Sequence, residues 1–225
     1  MNEQQASIDT LKDIRKMMER SSRFISLSGW SGVAAGVCAL IGAWFGYRTI
    51  NQSRANYDSL RKHYDVTVHD TPIRVKDYMG NQLVQVAILT FAAAFVLAFF
   101  FTYIRSRKTD TPMWGVASKR LTISVGVPMI VGGIYVLKLM QAGAFGLIAP
   151  GCLLFYGLGL VNASKYTLGE IKWLGYGQLV LGVINLFYTG YGIYFWALGF
   201  GVLHIVYGII MWWKYERQTD GEVAY

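Results

Sequence analysis

The stretch IYFWALGFGVLHIVYGIIMWW, residues 193–213, decides the fold of this chain. A helix needs about 20 mostly apolar residues to cross the hydrocarbon core of a bilayer. This stretch has 21 residues, and its one side chain that titrates close to neutral pH is His204, near the midpoint. The stretch therefore predicts a membrane-crossing helix with a polar feature at its middle.

Five further apolar blocks extend the pattern over most of the 225 residues. The chain is 54% hydrophobic and only 15% charged, whereas soluble domains carry about 25% charged residues. We predict an all-α polytopic membrane protein, a bundle of six transmembrane helices in one domain over residues 24–213. The predicted spans are 24–47, 83–104, 121–140, 144–163, 168–188 and 193–213, with an outer loop at 48–82 and a tail at 214–225.

The basic residues predict the orientation of these spans. With six crossings, both ends of the chain lie on one side of the membrane. That side holds 14 of the 21 Lys and Arg residues, and the other side holds 7. Because basic loops stay in the cytoplasm, we expect both termini to be cytoplasmic. The distribution of the positive charge over loops argues against nucleic acid as a partner.

Residues 1–23 form a juxtamembrane segment for which we predict a short amphipathic helix. Ser7 can cap this helix, and apolar residues recur along one face with basic residues around them: Ile8, Leu11, Ile14 and Met18. Such a helix lies on the cytoplasmic surface of the membrane. The alternative is a helical continuation of the first span.

Three motifs predict where helices begin. Asp70-Thr71-Pro72 and Asp110-Thr111-Pro112 each offer a capping hydroxyl followed by proline at the first helical position. Thr167 and Glu170 have the spacing of a capping box, which starts the fifth helix at Leu168. In the outer loop, Val66–Val68 and Ile73–Val75 alternate like short strands, but Pro72 could instead open a helix there.

Small residues and prolines predict how the spans pack. Four-residue spacings in the first span allow a close approach of helices: Ser28, Gly32 and Gly36, and separately Ala35, Ala39 and Ala43. We expect this face to pack inside the bundle rather than in a homodimer, which stays open. Pro128 and Pro150 lie inside the third and fourth blocks, where proline removes a backbone hydrogen bond and kinks a helix.

Polar side chains are predicted to meet near the bilayer midplane. Gln178 lies twelve residues before Gly190 and His204 fourteen residues after it, so their depths differ by about 3 Å. Tyr207 shares a helix face with His204, and Tyr156 lies near the middle of the fourth block. The four residues form either a pocket for an ion, a proton or a small ligand, or a structural contact in which neutral His204 bonds to Gln178.

No catalytic signature accompanies these residues. The chain lacks the motifs of zinc proteases, serine hydrolases and P-loop enzymes, and no pair of acids lies inside a span. We therefore predict that the protein is not an enzyme and uses no cofactor. Four outer-loop residues could ligate a metal, but their spacing matches no defined site, so we predict no metal site: His63, Asp65, His69 and Asp70.

One resemblance is carried by several segments: Glu19–Phe24 with Ser28-Gly29, Ile148–Pro150, Phe155–Leu158, Asn162–Thr167, and Trp196–Gly201 followed by His204, Tyr207-Gly208 and Met211. Together they resemble a family of uncharacterised six-span integral membrane proteins of Bacteroidota. The resemblance implies a location in the inner membrane and carries over no catalytic or binding role.

Two main functions follow from these observations. The first is a non-enzymatic membrane sensor or scaffold, surrounded by the lipid bilayer and open to a cytoplasmic protein partner through its N-terminal helix. The second is a small transporter or channel that uses the mid-membrane residues. An intramembrane enzyme ranks below both.

Overall fold

The computed structural model describes residues 28–63, 72–108 and 115–217, and these residues form six helices and no strand. The all-α helical bundle predicted from the sequence is thus confirmed. The first five helices are α1 (Gly29–His63), α2 (Pro72–Lys108), α3 (Val116–Gln141), α4 (Ile148–Ala163) and α5 (Ile171–Phe187). The sixth, α6, has three consecutive parts: α-helical Gly192–Trp196, π-helical Ala197–Leu203 and α-helical His204–Tyr215.

Five helical segments of the described chain are long and apolar enough to cross a membrane. They belong to α1, α2, α3, α4 and α6. The remaining apolar helix, α5, has 17 residues, which corresponds to about 26 Å at 1.5 Å per residue. It runs back alongside α4, from the end of α4 to the start of α6. By length and composition, the chain is a helical membrane protein.

The helices alternate in direction, which sorts their ends into two groups. At one end, Glu216 after α6 contacts Ser28 before α1 and Arg105 in α2, and the α4–α5 connection bonds to the last turn of α6. At the opposite end, Tyr47 of α1 packs edge-on against Tyr194 in the first part of α6. We call the first group the inner end and the second the outer end, after the orientation that the basic residues predict.

Three of the six helices, α4, α5 and α6, all contact one another. The helix α1 packs against α6, α2 packs against α1, and α3 packs against α4. The helices α2 and α3 therefore lie at the periphery, and most of their described apolar side chains are exposed. Hydrocarbon tails are as apolar as these side chains, so such exposure is typical of helices that face lipid.

Small residues of α1 pack inside the chain, as predicted. A Cβ atom on Gly32 would lie 3.2 Å from the carbonyl oxygen of His204, and one on Gly36 would lie 2.7 Å from that of Gly201. The main chains of α1 and α6 thus approach more closely than any larger residue would permit. The other members of the two series are buried or half-buried: Ser28, Ala35, Ala39 and Ala43.

The segment predicted as an outer loop, 48–82, is largely helical, because α1 continues to His63 and α2 begins at Pro72. Hydropathy marks only the part of a helix that lies in hydrocarbon, and polar residues continue the same helix beyond it. The prediction that Pro72 opens a helix is confirmed, so Ile73–Val75 is helical rather than a strand.

Two other described helices begin after the predicted starts. The third helix begins at Val116, directly after Gly115, whose backbone is extended (φ −169°, ψ −179°). Glycine loses more conformational freedom in a helix than any other residue, so it is a natural boundary. The fifth helix begins at Ile171 rather than Leu168, and Glu170 makes no capping bond there.

Some predictions fall outside the residues that the structure describes. They are the amphipathic helix in 1–23, the strand Val66–Val68, a helix start at Pro112, the metal ligands Asp65, His69 and Asp70, and the end of the tail.

A side chain from α4 compensates for the proline in α3. Pro128 has no N–H, so the carbonyl of Ser124, four residues earlier, lacks its helical donor. The amide nitrogen Nδ2 of Asn162 donates to this carbonyl oxygen over 3.1 Å. Pro150, by contrast, lies in the first turn of α4, where a helix needs no N–H donor, so it leaves no carbonyl of α4 without its helical partner.

We expect Asn162→Leu to lower the free energy of unfolding by about 1 kcal/mol, because the carbonyl of Ser124 then has no donor in an apolar surrounding. In a Pro128→Ala background, the new backbone N–H bonds to the same carbonyl, so the loss should nearly vanish. A double-mutant cycle measured by unfolding in detergent checks this coupling. An equal loss in both backgrounds would contradict it.

Candidate functional site

The predicted mid-membrane residues meet at the π-helical part of α6. The carbonyl oxygen of Gly199 accepts a bond from Nε2 of Gln178 (2.7 Å) and another from Nδ1 of His204 (3.0 Å). The backbone N–H of His204 donates to the carbonyl oxygen of Gly201, so it does not compete for the carbonyl of Gly199. Single π-helical turns are common at functional sites because they displace side chains from the regular α-helical positions.

The hydrogen bonds of His204 define its tautomer. A carbonyl oxygen only accepts, so Nδ1 carries the proton that it donates to Gly199. In the neutral ring, Nε2 is then an acceptor, and the hydroxyl of Tyr156 donates to it over 2.7 Å. The two rings also stack, with centroids 5.4 Å apart. Both ring nitrogens of a neutral imidazole are therefore satisfied by groups of the protein.

Gln178 is fully buried, at 0% exposure, and both the nitrogen and the oxygen of its side-chain amide lie close to Gly199. A Cβ atom on Gly199 would lie 2.6 Å from Oε1 of Gln178, so only glycine leaves room for this side chain. Oε1 has no hydrogen-bond partner among the described residues. The predicted bond between His204 and Gln178 is wrong, because both donate to the same carbonyl and Nε2 of His204 accepts from Tyr156.

Tyr207 lies one turn closer to the inner end than His204. Its ring packs against the buried apolar cluster of Leu160, Ile171 and Leu174. Its hydroxyl is buried, and within the described part of the chain it has no hydrogen-bond partner. The structure thus joins three of the four predicted residues through hydrogen bonds and leaves the fourth beside them.

A carboxylate at the inner end holds the first helix. Oε1 of Glu216 accepts from the backbone N–H of Gly29 (2.6 Å) and from the hydroxyl of Ser28 (3.1 Å), and it pairs with Arg105. Negative charge is favourable at the positive end of a helix dipole. No sequence pattern predicts this contact, because Gly29 and Glu216 lie 187 residues apart and no local motif links them.

Glu170 connects the α4–α5 segment to the end of α6. Its carboxylate accepts from Nζ of Lys214 (2.5 Å) and from the hydroxyl of Tyr215 (2.7 Å). Partial burial raises the pKa of this carboxyl group, but the hydrogen bonds from Lys214 and Tyr215 outweigh burial and hold the pKa below its ordinary value. These long-range contacts explain why Glu170 forms no capping box.

The remaining polar residues have structural roles. Nδ2 of Asn185 donates to the carbonyl of Tyr188 at the end of α5, and the side chain is fully buried. Lys138 is exposed at the outer end and bonds to Gln141. In 28–63, 72–108 and 115–217, no three His, Cys, Asp or Glu residues are arranged to hold a metal ion.

In the middle of the bundle, the arrangement is a hydrogen-bonded junction of α4, α5 and α6 around one carbonyl group. It brings together an imidazole, a phenol and an amide, and it fixes the rotation of each helix about its axis.

Comparisons of the chain with protein-family models, with curated proteins and with solved structures found no match.

Proposed function

We propose that this protein is a non-enzymatic scaffold or sensor of the cell inner membrane, with six spans and both termini in the cytoplasm. On the residues that resemble them, we place it among the six-span membrane proteins of Bacteroidota. One observation supports a structural role. Both ring nitrogens of His204 and the amide nitrogen of Gln178 form hydrogen bonds with groups inside the bundle.

Close packing around this junction supports the same proposal. A Cβ atom on Gly157 would lie 2.9 Å from the carbonyl oxygen of Gly175, and one on Gly182 would lie 2.9 Å from Cγ of Leu154. Helices that approach at glycines in several places have one defined arrangement. A scaffold needs such a fixed arrangement to present a partner-binding surface.

The first two helices are longer than their apolar parts. The apolar parts of α1 and α2 are Gly29–Ser53 and Gln82–Lys108, and each helix continues for 10 residues past its apolar part at the outer end. Ten helical residues extend about 15 Å, so both helices continue beyond the hydrocarbon layer.

A second candidate function is a small transporter or channel with a mid-membrane polar site. It is favoured by Oε1 of Gln178 and the hydroxyl of Tyr207, which are among the buried polar atoms that have no partner in the described part of the chain. Such atoms are available to a small solute that forms hydrogen bonds. A buried polar atom without a partner otherwise destabilises the fold, so the two functions make different predictions for these residues.

Two Tyr→Phe variants distinguish the candidates. If the junction is structural, Tyr156→Phe should lower the free energy of unfolding by about 1 kcal/mol, because Nε2 of His204 loses its donor. Tyr207→Phe should leave stability unchanged or raise it by up to about 1 kcal/mol, because it removes a hydroxyl that has no partner. Unfolding in detergent measures both.

The same variants are then reconstituted in liposomes and assayed for ion and small-solute flux. Tyr176→Phe, at an exposed position on α5, is the matched control. The scaffold proposal expects no flux above that of protein-free liposomes for any variant. Flux through the unmodified protein that falls in Tyr207→Phe, with stability unchanged, would replace the scaffold by the transporter.

A further inference from the structure

Four basic residues lie at the inner end of α3, α4 and α5. The bond between Asn162 and the carbonyl of Ser124 holds the first turns of α3 against the last turn of α4. The first turn of α5 packs against the other side of that last turn, where Ile171 and Leu174 contact Leu160. We call this group the basic corner: Lys119, Arg120, Lys165 and Lys172.

The positive charge of the basic corner is not neutralised within the described part of the chain. All four side chains are exposed, and none forms a salt bridge with a described carboxylate. The acidic residue nearest along the chain, Glu170, already accepts from Lys214 and Tyr215. No acidic residue lies in the first turn of α3 or of α5.

The basic corner lies at the level where a helix passes from hydrocarbon into lipid headgroups. Nζ of Lys172 stands 5.3 Å from the ring centre of Trp173, and this ring is 66% exposed, as in the aromatic belts of membrane proteins. Toward the membrane centre, α3 exposes the apolar side chains of Ile123 and Val127. Cationic groups thus stand directly beside an open apolar face.

We propose that the basic corner binds the headgroup of an anionic phospholipid whose acyl chains lie along the exposed face of α3. Ammonium and guanidinium groups bind phosphate oxygens, and basic clusters between helices at the cytoplasmic surface hold anionic headgroups. A phospholipid matches both parts of the surface, whereas free phosphate matches only the charged part. The proposal rests on the membrane location and is independent of the scaffold function.

Binding of a fluorescent phosphatidylglycerol to the full chain, purified in detergent, tests this proposal. Each basic residue near a headgroup contributes about fivefold in affinity, so the pairs Lys119→Gln/Arg120→Gln and Lys165→Gln/Lys172→Gln should each weaken binding about 25-fold. The matched control is Arg48→Gln/Lys138→Gln, which removes two exposed basic residues from the outer end. This control should bind as the unmodified protein does.

Three arms separate the sources of the effect. Phosphatidylcholine should bind at least tenfold more weakly than phosphatidylglycerol, and glycerol phosphate without acyl chains should not compete at the same concentration. Raising the salt concentration should weaken binding of the anionic lipid to the unmodified protein. Three results would each overturn the proposal. They are unchanged affinity in both double variants of the basic corner, an equal loss of affinity in Arg48→Gln/Lys138→Gln, and full competition by glycerol phosphate.

Discussion

A Gly208→Leu variant should lose about 3 kcal/mol of the free energy of unfolding, because a leucine side chain does not fit between the main chains of α1 and α6. A Cβ atom at this position would lie 2.6 Å from the carbonyl oxygen of Gly29 and 2.6 Å from the backbone nitrogen of Val33. Main-chain atoms cannot rotate away as a side chain can, so the helices would have to separate. Unfolding in detergent, followed by circular dichroism, measures the loss.

Gly133→Leu is the matched control for this experiment. Gly133 lies within α3, and no atom outside its own helix backbone is within 4 Å of a Cβ built there. Leucine is a better helix former than glycine by up to about 1 kcal/mol, so this variant should be as stable as the unmodified protein or more so. Equal losses in Gly208→Leu and Gly133→Leu would contradict the importance of the α1–α6 contact.

A His204→Leu variant should lose about 2–3 kcal/mol, the second largest effect that we expect. Leucine removes the bond to the carbonyl of Gly199 and leaves the hydroxyl of Tyr156 without an acceptor in an apolar surrounding. The apolar leucine recovers only part of this loss. Val206→Leu, in which a 46% exposed side chain on the same helix is changed, should have little effect.

Coupling to Tyr156 makes the His204 prediction specific. Once His204 is leucine, the hydroxyl of Tyr156 has lost its acceptor, so adding Tyr156→Phe should restore about 1 kcal/mol instead of removing it. A double-mutant cycle from the same unfolding measurements detects this change of sign. Losses that simply add would show that the two side chains do not form the bond described above.

Much of the fold could be predicted from local composition. The apolar blocks were found because a helix in hydrocarbon needs a run of apolar residues whatever its neighbours are. Boundaries were less accurate, because outside the hydrocarbon a helix such as α1 can continue through polar residues to His63. The start of α2 was correct, since proline at a first helical position is a local signal.

Part of the candidate site could also be predicted from local sequence spacing. Residue spacing from the turn at Gly190 gives depth in the membrane, so Gln178 and His204 were correctly expected at one level. Spacing does not give the rotation of each helix about its axis. That rotation depends on close contacts such as the one at Gly199, and it is why Tyr156, and not Gln178, bonds to His204.

By itself, the sequence determined that this chain is an all-α membrane protein and that one histidine lies deep in an apolar helix. Only the tertiary structure decided which groups meet: Glu216 with the start of α1, Asn162 with the carbonyl that Pro128 leaves free, and three side chains around Gly199. Burial in hydrocarbon is a property of each segment, whereas a hydrogen bond between helices depends on how two segments pack.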